Sequence, residues 1–299
     1  MILLRRGLGR IMPESGAVII LGAGGQLGRQ LLAQFGRAEG TTVRGYDLPE
    51  LDITDGSRLR QTLIDARPRC VINCAAMTNV DACELEPDKA AAVNAESVAV
   101  LAEACDRVDA LLVQLSTDFV FDGRLRRHYR EEDIVGPLSV YGRTKLSAEQ
   151  YARDCRRHLV VRTACLFGPG TGNFVARMLG RAMSGQPLRI VNDRAGSPTY
   201  APDLAEAIRR LIDVNADGVC HVVNSGTASW YELAKTAVQL AGLEASIEPI
   251  RSYEYSCPAD RPAFSGLDTH RYGQLTGHRL RPWREALHEY VAGRTWISG

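Results

Sequence analysis

Short apolar runs alternate with longer amphipathic stretches through the first half of the chain. Residues 17–21 (AVIIL), 70–73 (CVIN), 111–115 (LLVQL) and 158–163 (HLVVRT) are nearly continuous in Val, Ile and Leu. That pattern suits strands buried on both faces, as in a parallel sheet. Residues 41–46 (TTVRGY) add a further strand candidate. Helical spacing follows the strands at 29–35, 56–66, 90–105 and 139–155. Asp55 stands where a helix N-cap is expected. Strand and helix in strict alternation predict an α/β fold built on a doubly wound parallel sheet of Rossmann type. Past Gly185 the pattern loosens. Strands at 188–191 and 219–223 mix with helices at 203–214 and 230–241 and with polar loops. This portion reads as a smaller α/β lobe for substrate binding.

The expected organisation is an N-terminal extension at 1–16, a dinucleotide-binding domain at 17–165, and mainly substrate lobe at 166–299. Some segments of the last are expected to return to the first domain. No repeat or linker divides them.

The 299 residues are 45% hydrophobic with a formal net charge of +1. That supports a large core and gives nucleic acid no electrostatic footprint as the main partner. No apolar run reaches the roughly 18–20 residues of a membrane span. The N-terminus lacks the charge-then-apolar order of a signal peptide, and Met12 offers a second start. The eight cysteines include no Cys-x-x-Cys. They read as reduced, buried thiols of a cytoplasmic protein.

Candidate chemistry begins after the first strand. Gly22, Gly25 and Gly28 permit a tight turn close to a pyrophosphate, at the N-terminus of a helix. The spacing is Gly-x-x-Gly-x-x-Gly, a variant of the usual fingerprint. Asp47 follows about 20 residues later, where an acid can hold adenosine ribose hydroxyls. That favours NADH, whereas Arg29 and Arg44 leave a 2′-phosphate open. Asp52 and Ile53 are placed to cover the adenine. Small residues after Asn73 let backbone approach a ligand. Asn94 either serves the site or satisfies nearby backbone. The centre of the chain is LSTDFVFDG followed by PLSVYGRTK. A hydroxyl (Ser116 or Thr117), Tyr141 and Lys145 would form a reaction centre if they met. Tyr141 and Lys145 are four residues apart and share a helix face. The basic run 124–130 reads as a solvated loop balanced by Glu131, Glu132 and Asp133, with a phosphate contact as the sharper reading. Arg261 is a candidate partner for a diphosphate.

These motifs resemble the extended short-chain dehydrogenases/reductases, and within them the dTDP-4-dehydrorhamnose reductase family. The likeness runs from about Ala17 to residue 293. It is carried by GAGGQLG (22–28), LDITD (51–55), NCAAMTNVDACE (73–84), STDFVFDG (116–123), YGRTK (141–145), VRTACLFGPG (161–170), NDRAGSPTYAPDLA (192–205) and RPAFSGLD (261–268).

The resemblance implies Thr117, Tyr141 and Lys145 as the catalytic trio. It implies a cofactor site at Gly22, Gly25, Gln26, Leu27, Gly28, Asp47, Asp52, Ile53, Ala75, Ala76, Met77, Thr78, Tyr141 and Lys145. It also places Thr117 and Asp118 on the sugar, with Phe119, Cys165 and Arg261 on the substrate side. The implied cofactor is NADPH, with NADH and Mg2+ left open. The implied substrate is a dTDP-linked 4-keto-6-deoxy sugar, and a homodimer is left open. The chain departs from the family at Phe119, usually Tyr, at Cys165, commonly Trp, and at Met77, usually His. These departures keep two alternatives: a reductase or epimerase of another nucleotide-linked 4-keto sugar, and a non-catalytic nucleotide-binding regulatory subunit.

Overall fold

The computed structural model describes residues 16–37 and 40–297. The extension read at 1–16 therefore lies, apart from Gly16, outside the described residues. Eight strands matter here: β1 (Val18–Leu21), β2 (Val43–Tyr46), β3 (Cys70–Asn73), β4 (Leu111–Thr117), β5 (His158–Thr163), β6 (Leu188–Val191), β7 (Gly218–His221) and β8 (Ile247–Ile250). Six of them form one sheet in the order β7-β5-β4-β3-β1-β2, and every pairing is parallel. The predicted doubly wound sheet is thus present.

Helices α1 (Gln26–Gly36), α2 (Gly56–Ala66), α3 (Val80–Leu85), α4 (Ser97–Arg107) and α5 (Val140–Ala152) follow the strands. Farther along are α6 (Phe174–Met183), α7 (Ala201–Asp213), α8 (Trp230–Leu240) and α9 (Trp283–Ala292). The continuous apolar strands are explained by their two faces. Val18 and Ile20 of β1 join a core with α1 and α7. Ile19 and Leu21 join the opposite core with α2, α4 and α5. Both α7 and β7 lie beyond residue 165, yet they pack on the main sheet.

Asp55 does cap α2, its carboxylate accepting the Arg58 N–H at 3.0 Å. The helix expected at 90–105 is interrupted: a π-helical turn, Ala92–Glu96, precedes α4 and carries Asn94. The apolar period alone does not register this extra residue in the turn. β8 was not marked in the sequence. It pairs in parallel with β6, and α6, α8 and α9 cover a separate core beside it. In the basic run Arg127 grips Asp133 through two bonds of 2.7 Å, but Arg124 pairs with Asp122 and Arg130 with Asp268, and Glu131 instead accepts the His221 N–H. Among the described residues no helix is long and apolar enough to cross a membrane. The eight cysteines are free, and five are buried.

Candidate active site

In an open parallel sheet, ligands bind beyond the carboxyl ends of the strands, where the strand order reverses. Here β1 lies between β2 and β3, and Leu21 aligns with Tyr46 on one side and Asn73 on the other. The chain leaves β1 through Gly22, whose φ is +72°. A Cβ there would lie 2.6 Å from the Ala75 nitrogen, so only glycine lets the two loops approach. A Cβ on Gly28 would drive into the Gly22 carbonyl. Asp47 pins the turn, accepting the N–H groups of Gly24 at 2.6 Å and Leu48 at 2.8 Å.

The N-cap of α1 is Gly25, which has no side chain to cap the helix. The first N–H groups of α1 are therefore available to an anion. Two buried side-chain atoms without partners, Gln26 Nε2 and Thr163 Oγ1, belong to residues bordering the same cleft. These features fit the pyrophosphate and polar edges of a dinucleotide.

Helix α5 brings the reactive groups to this cleft. Its N-cap Ser139 accepts the Gly142 N–H. Gly142 is required because a Cβ would strike the Phe119 carbonyl. Lys145 Nζ donates to the Leu115 carbonyl at 2.6 Å, leaving two ammonium protons for other acceptors. Burial pushes the Lys145 ammonium down to about 8, opposed by the charge of Glu149. Thr117 Oγ1 donates to Asp118 at 3.1 Å and accepts the Phe119 N–H at 3.2 Å. Burial raises the Tyr141 phenol above its ordinary value of 10.0, and a hydrogen bond with Thr117 pulls it back. Thr117, Tyr141 and Lys145 thus stand together at the end of β4.

With Lys145 in the role that the resemblance implies, its ammonium would assist Tyr141 only while charged, and a pH dependence is expected. As pH rises through about 8, Lys145 loses its proton and that help disappears. Turnover is expected to decline on the alkaline side of pH 8. A rate profile flat well beyond that pH would show that the charge is not used.

Glu149 lies one turn past Lys145 on the same face of α5. It is fully buried and makes a two-pronged ion pair with Arg162 of β5, at 2.8 and 2.7 Å. Ser116 donates to the same carboxylate at 2.6 Å. Asn94 accepts Met77 N–H at 2.8 Å and donates to Met77 O and to Thr144 Oγ1. It thereby ties the loop after β3 to α5.

The glycine turn from Gly22 to Gly28, Ala76, Thr78, Thr117, Tyr141 and Lys145 border one cleft of about 430 Å³. Five expected cofactor residues do not border it. Asp47 is engaged by the Gly24 and Leu48 N–H groups. Asp52 binds Thr54, and Ile53 is in the core. Ala75 backs onto Gly22, and the Met77 backbone is held by Asn94.

A smaller pocket of about 40 Å³ adjoins the cleft, and Cys165 lines both. Asp118, Phe119 and Arg261 also line the small pocket. Asp118 accepts a hydrogen bond from Ser265, so the end of β4 is joined to the 261–268 segment. Burial pushes the Asp118 carboxyl up to about 6. Phe119 meets Tyr141 edge to face, with centroids 5.9 Å apart. Arg261 is held by Asp81 at 2.7 and 3.0 Å.

Sequence reasoning missed Ser265, the Glu149–Arg162 pair and Asn173. Asn173 caps α6 and donates to the Gly168 and Gly170 carbonyls, holding the glycine-rich loop beside the cleft. Its signal was present, an Asn directly before an apolar helical run.

A glycine turn at the switch point of a parallel sheet, facing a Tyr/Lys helix and a second lobe, defines an extended short-chain dehydrogenase/reductase. Residues 16–295 match the family described as RmlD substrate binding domain, and the chain belongs to that family. The chain is 40% identical over 279 residues to the spore coat polysaccharide biosynthesis protein SpsK of Bacillus subtilis, covering 93% of this chain and 98% of that protein. It is 39% identical to a dTDP-4-dehydrorhamnose reductase of Streptomyces griseus, covering 91% of each. The crystal structure of dTDP-4-dehydrorhamnose reductase from Bacillus anthracis in complex with NADP superposes with a TM-score of 0.90. It is 34% identical and covers 93% of this chain and 99% of that one.

Proposed function

We propose that the chain is a dTDP-4-dehydrorhamnose reductase, reducing the 4-keto group of dTDP-4-dehydro-L-rhamnose to give dTDP-L-rhamnose with NADPH. The observation that carries this reading is the meeting of Thr117, Tyr141 and Lys145 at the cleft bordered by the glycine turn. Likeness to reductases of this substrate over nine-tenths of the chain supports it. NADPH is the preferred donor because a relative of the same family binds NADP.

The residues from Gly22 to Gly28 would hold the pyrophosphate, and Gln26 and Thr163 would use their free polar atoms on the ligand. When bound, the dinucleotide supplies the hydride that reaches sugar C4. Thr117 orients the carbonyl oxygen by a hydrogen bond, exchanging its bond to Asp118 for one to the sugar. Tyr141 gives its phenolic proton to that oxygen, completing the hydroxyl. Lys145 stabilises the phenolate left behind. Asp118 and Ser265 keep the second lobe against the reaction centre.

The reading is tested by following NADPH consumption with dTDP-4-dehydrorhamnose, then with NADH and with UDP- and GDP-linked 4-keto sugars. Fastest turnover with the dTDP sugar is expected. Preference for another nucleotide sugar would transfer the assignment to that substrate, and Phe119 and Cys165 are the pocket residues that would carry it. Nucleotide binding without oxidation of either cofactor by any of these sugars would leave a regulatory subunit.

A further inference from the structure

Two guanidinium groups border the small pocket, Arg194 and Arg261, and their surroundings differ. Arg261 is already engaged inside the protein. Nη1 donates to Asp81, to the Ala259 carbonyl and to Cys257 Sγ, each at 3.0 Å, and Nη2 donates to Asp81 at 2.7 Å. Its charge is neutralised, and both terminal nitrogens are engaged.

Arg194 is half-buried, and among the described residues it has no hydrogen-bond, ion-pair or ring partner. Its chain neighbours are firmly held. Asn192 donates its N–H to Ile250 O at 3.0 Å and accepts Ser229 Oγ–H at 2.8 Å. Asp193 accepts the N–H and hydroxyl of Ser252 at 2.9 and 3.1 Å. On the other side, Ala195 exchanges backbone bonds with Ala263 and Ser265 at 3.0 and 2.9 Å. The backbone is therefore fixed on both sides of a cation with no protein partner among the described residues. A guanidinium on a pocket wall with no protein acceptor can take the paired oxygens of an anion.

We propose that Arg194, rather than Arg261, is the residue that grips the diphosphate of a nucleoside-diphosphate sugar. The assignment rests on the nucleotide-sugar reading above and makes it specific. The geometry agrees with it. The small pocket meets the cofactor cleft at Cys165, and Asp118 lies on the same wall. A sugar held at Thr117 would thus have its diphosphate led toward Arg194. Trp230 also lines this pocket and is half-buried, whereas Trp283 and Trp296 are buried. Its fluorescence therefore reports on occupancy.

The test is titration of the full chain, with saturating NADP+, by thymidine diphosphate and separately by thymidine. Tryptophan fluorescence and calorimetry give the affinities. Arg194→Ala is expected to weaken thymidine diphosphate binding by about 10–100-fold, the worth of a charge-assisted hydrogen bond. Thymidine and NADP+ affinities are expected to stay unchanged, and Arg194→Lys to recover part of the loss. Three results would overturn the assignment: unchanged thymidine diphosphate affinity in Arg194→Ala, an equal loss for thymidine, or a wild-type chain that binds no nucleoside diphosphate. Failure of the reductase reading is separable. A wild-type chain that grips thymidine diphosphate through Arg194 but reduces no keto sugar sinks the reductase reading and leaves the Arg194 assignment standing.

Discussion

Tyr141→Phe is expected to lower turnover by about 10²–10⁴-fold, the usual worth of a positioned general acid, while NADPH affinity changes little. The substitution removes one oxygen and keeps the ring. Its edge-to-face contact with Phe119 at 5.9 Å is retained, and the Ser139 cap and Gly142 that seat the helix are untouched. The carbonyl oxygen then has no phenolic proton to take, and Thr117 alone is too weak an acid to replace it. Lys145 still donates to Leu115 O, so the cofactor side of the cleft persists. The measurement pairs steady-state NADPH oxidation with an equilibrium binding titration. Turnover near the wild-type value would remove Tyr141 from the chemistry, whereas a parallel collapse of cofactor affinity would point to damage of the site.

The second large effect concerns stability. Arg162→Met is expected to cost about 3–5 kcal/mol, because it leaves the Glu149 carboxylate buried without its cation. Glu149 is 0% and Arg162 2% exposed, and the two are joined through two hydrogen bonds. The Ser116 bond to Glu149 at 2.6 Å and the Lys145 ammonium one turn away remain, but neither replaces the two-pronged contact of the guanidinium. The double variant Glu149→Leu with Arg162→Met removes both charges and is expected to recover most of the loss. Denaturant unfolding of wild type, single and double variants checks this. A single-variant loss below about 1 kcal/mol would place the pair among those of little net worth. The pair also matters for chemistry, since Glu149 follows Lys145 by one helical turn and opposes the lowering of its pKa.

Much of the fold could be read from local pattern. The parallel sheet was visible because β1, β3 and β4 are buried on both faces, which demands uninterrupted apolar runs. Gly22 and Gly28 were visible because backbone contact tolerates no Cβ at either position. Tyr141 and Lys145 were visible because helical spacing fixes their common face. The π turn at Ala92–Glu96 was not, since one inserted residue leaves the apolar period almost unchanged. Strand β8 was not either, because a short segment containing Pro249 has weak strand character of its own and is held by pairing with β6.

The sequence by itself determined the sheet, the glycine turn and the pair of reactive side chains on α5. Each depends on spacing within one segment, or on steric demands at a single residue. Only the tertiary structure decided which polar groups are spent and which are free. Arg261 and Arg194 look alike in the sequence. One lies 180 residues from the carboxylate that neutralises it, and the other has no partner among the described residues. Asp118 meets Ser265 across 147 residues in the same way. The partner of a charge is set by how distant segments pack, and hydrophobic periodicity carries no information about that pairing.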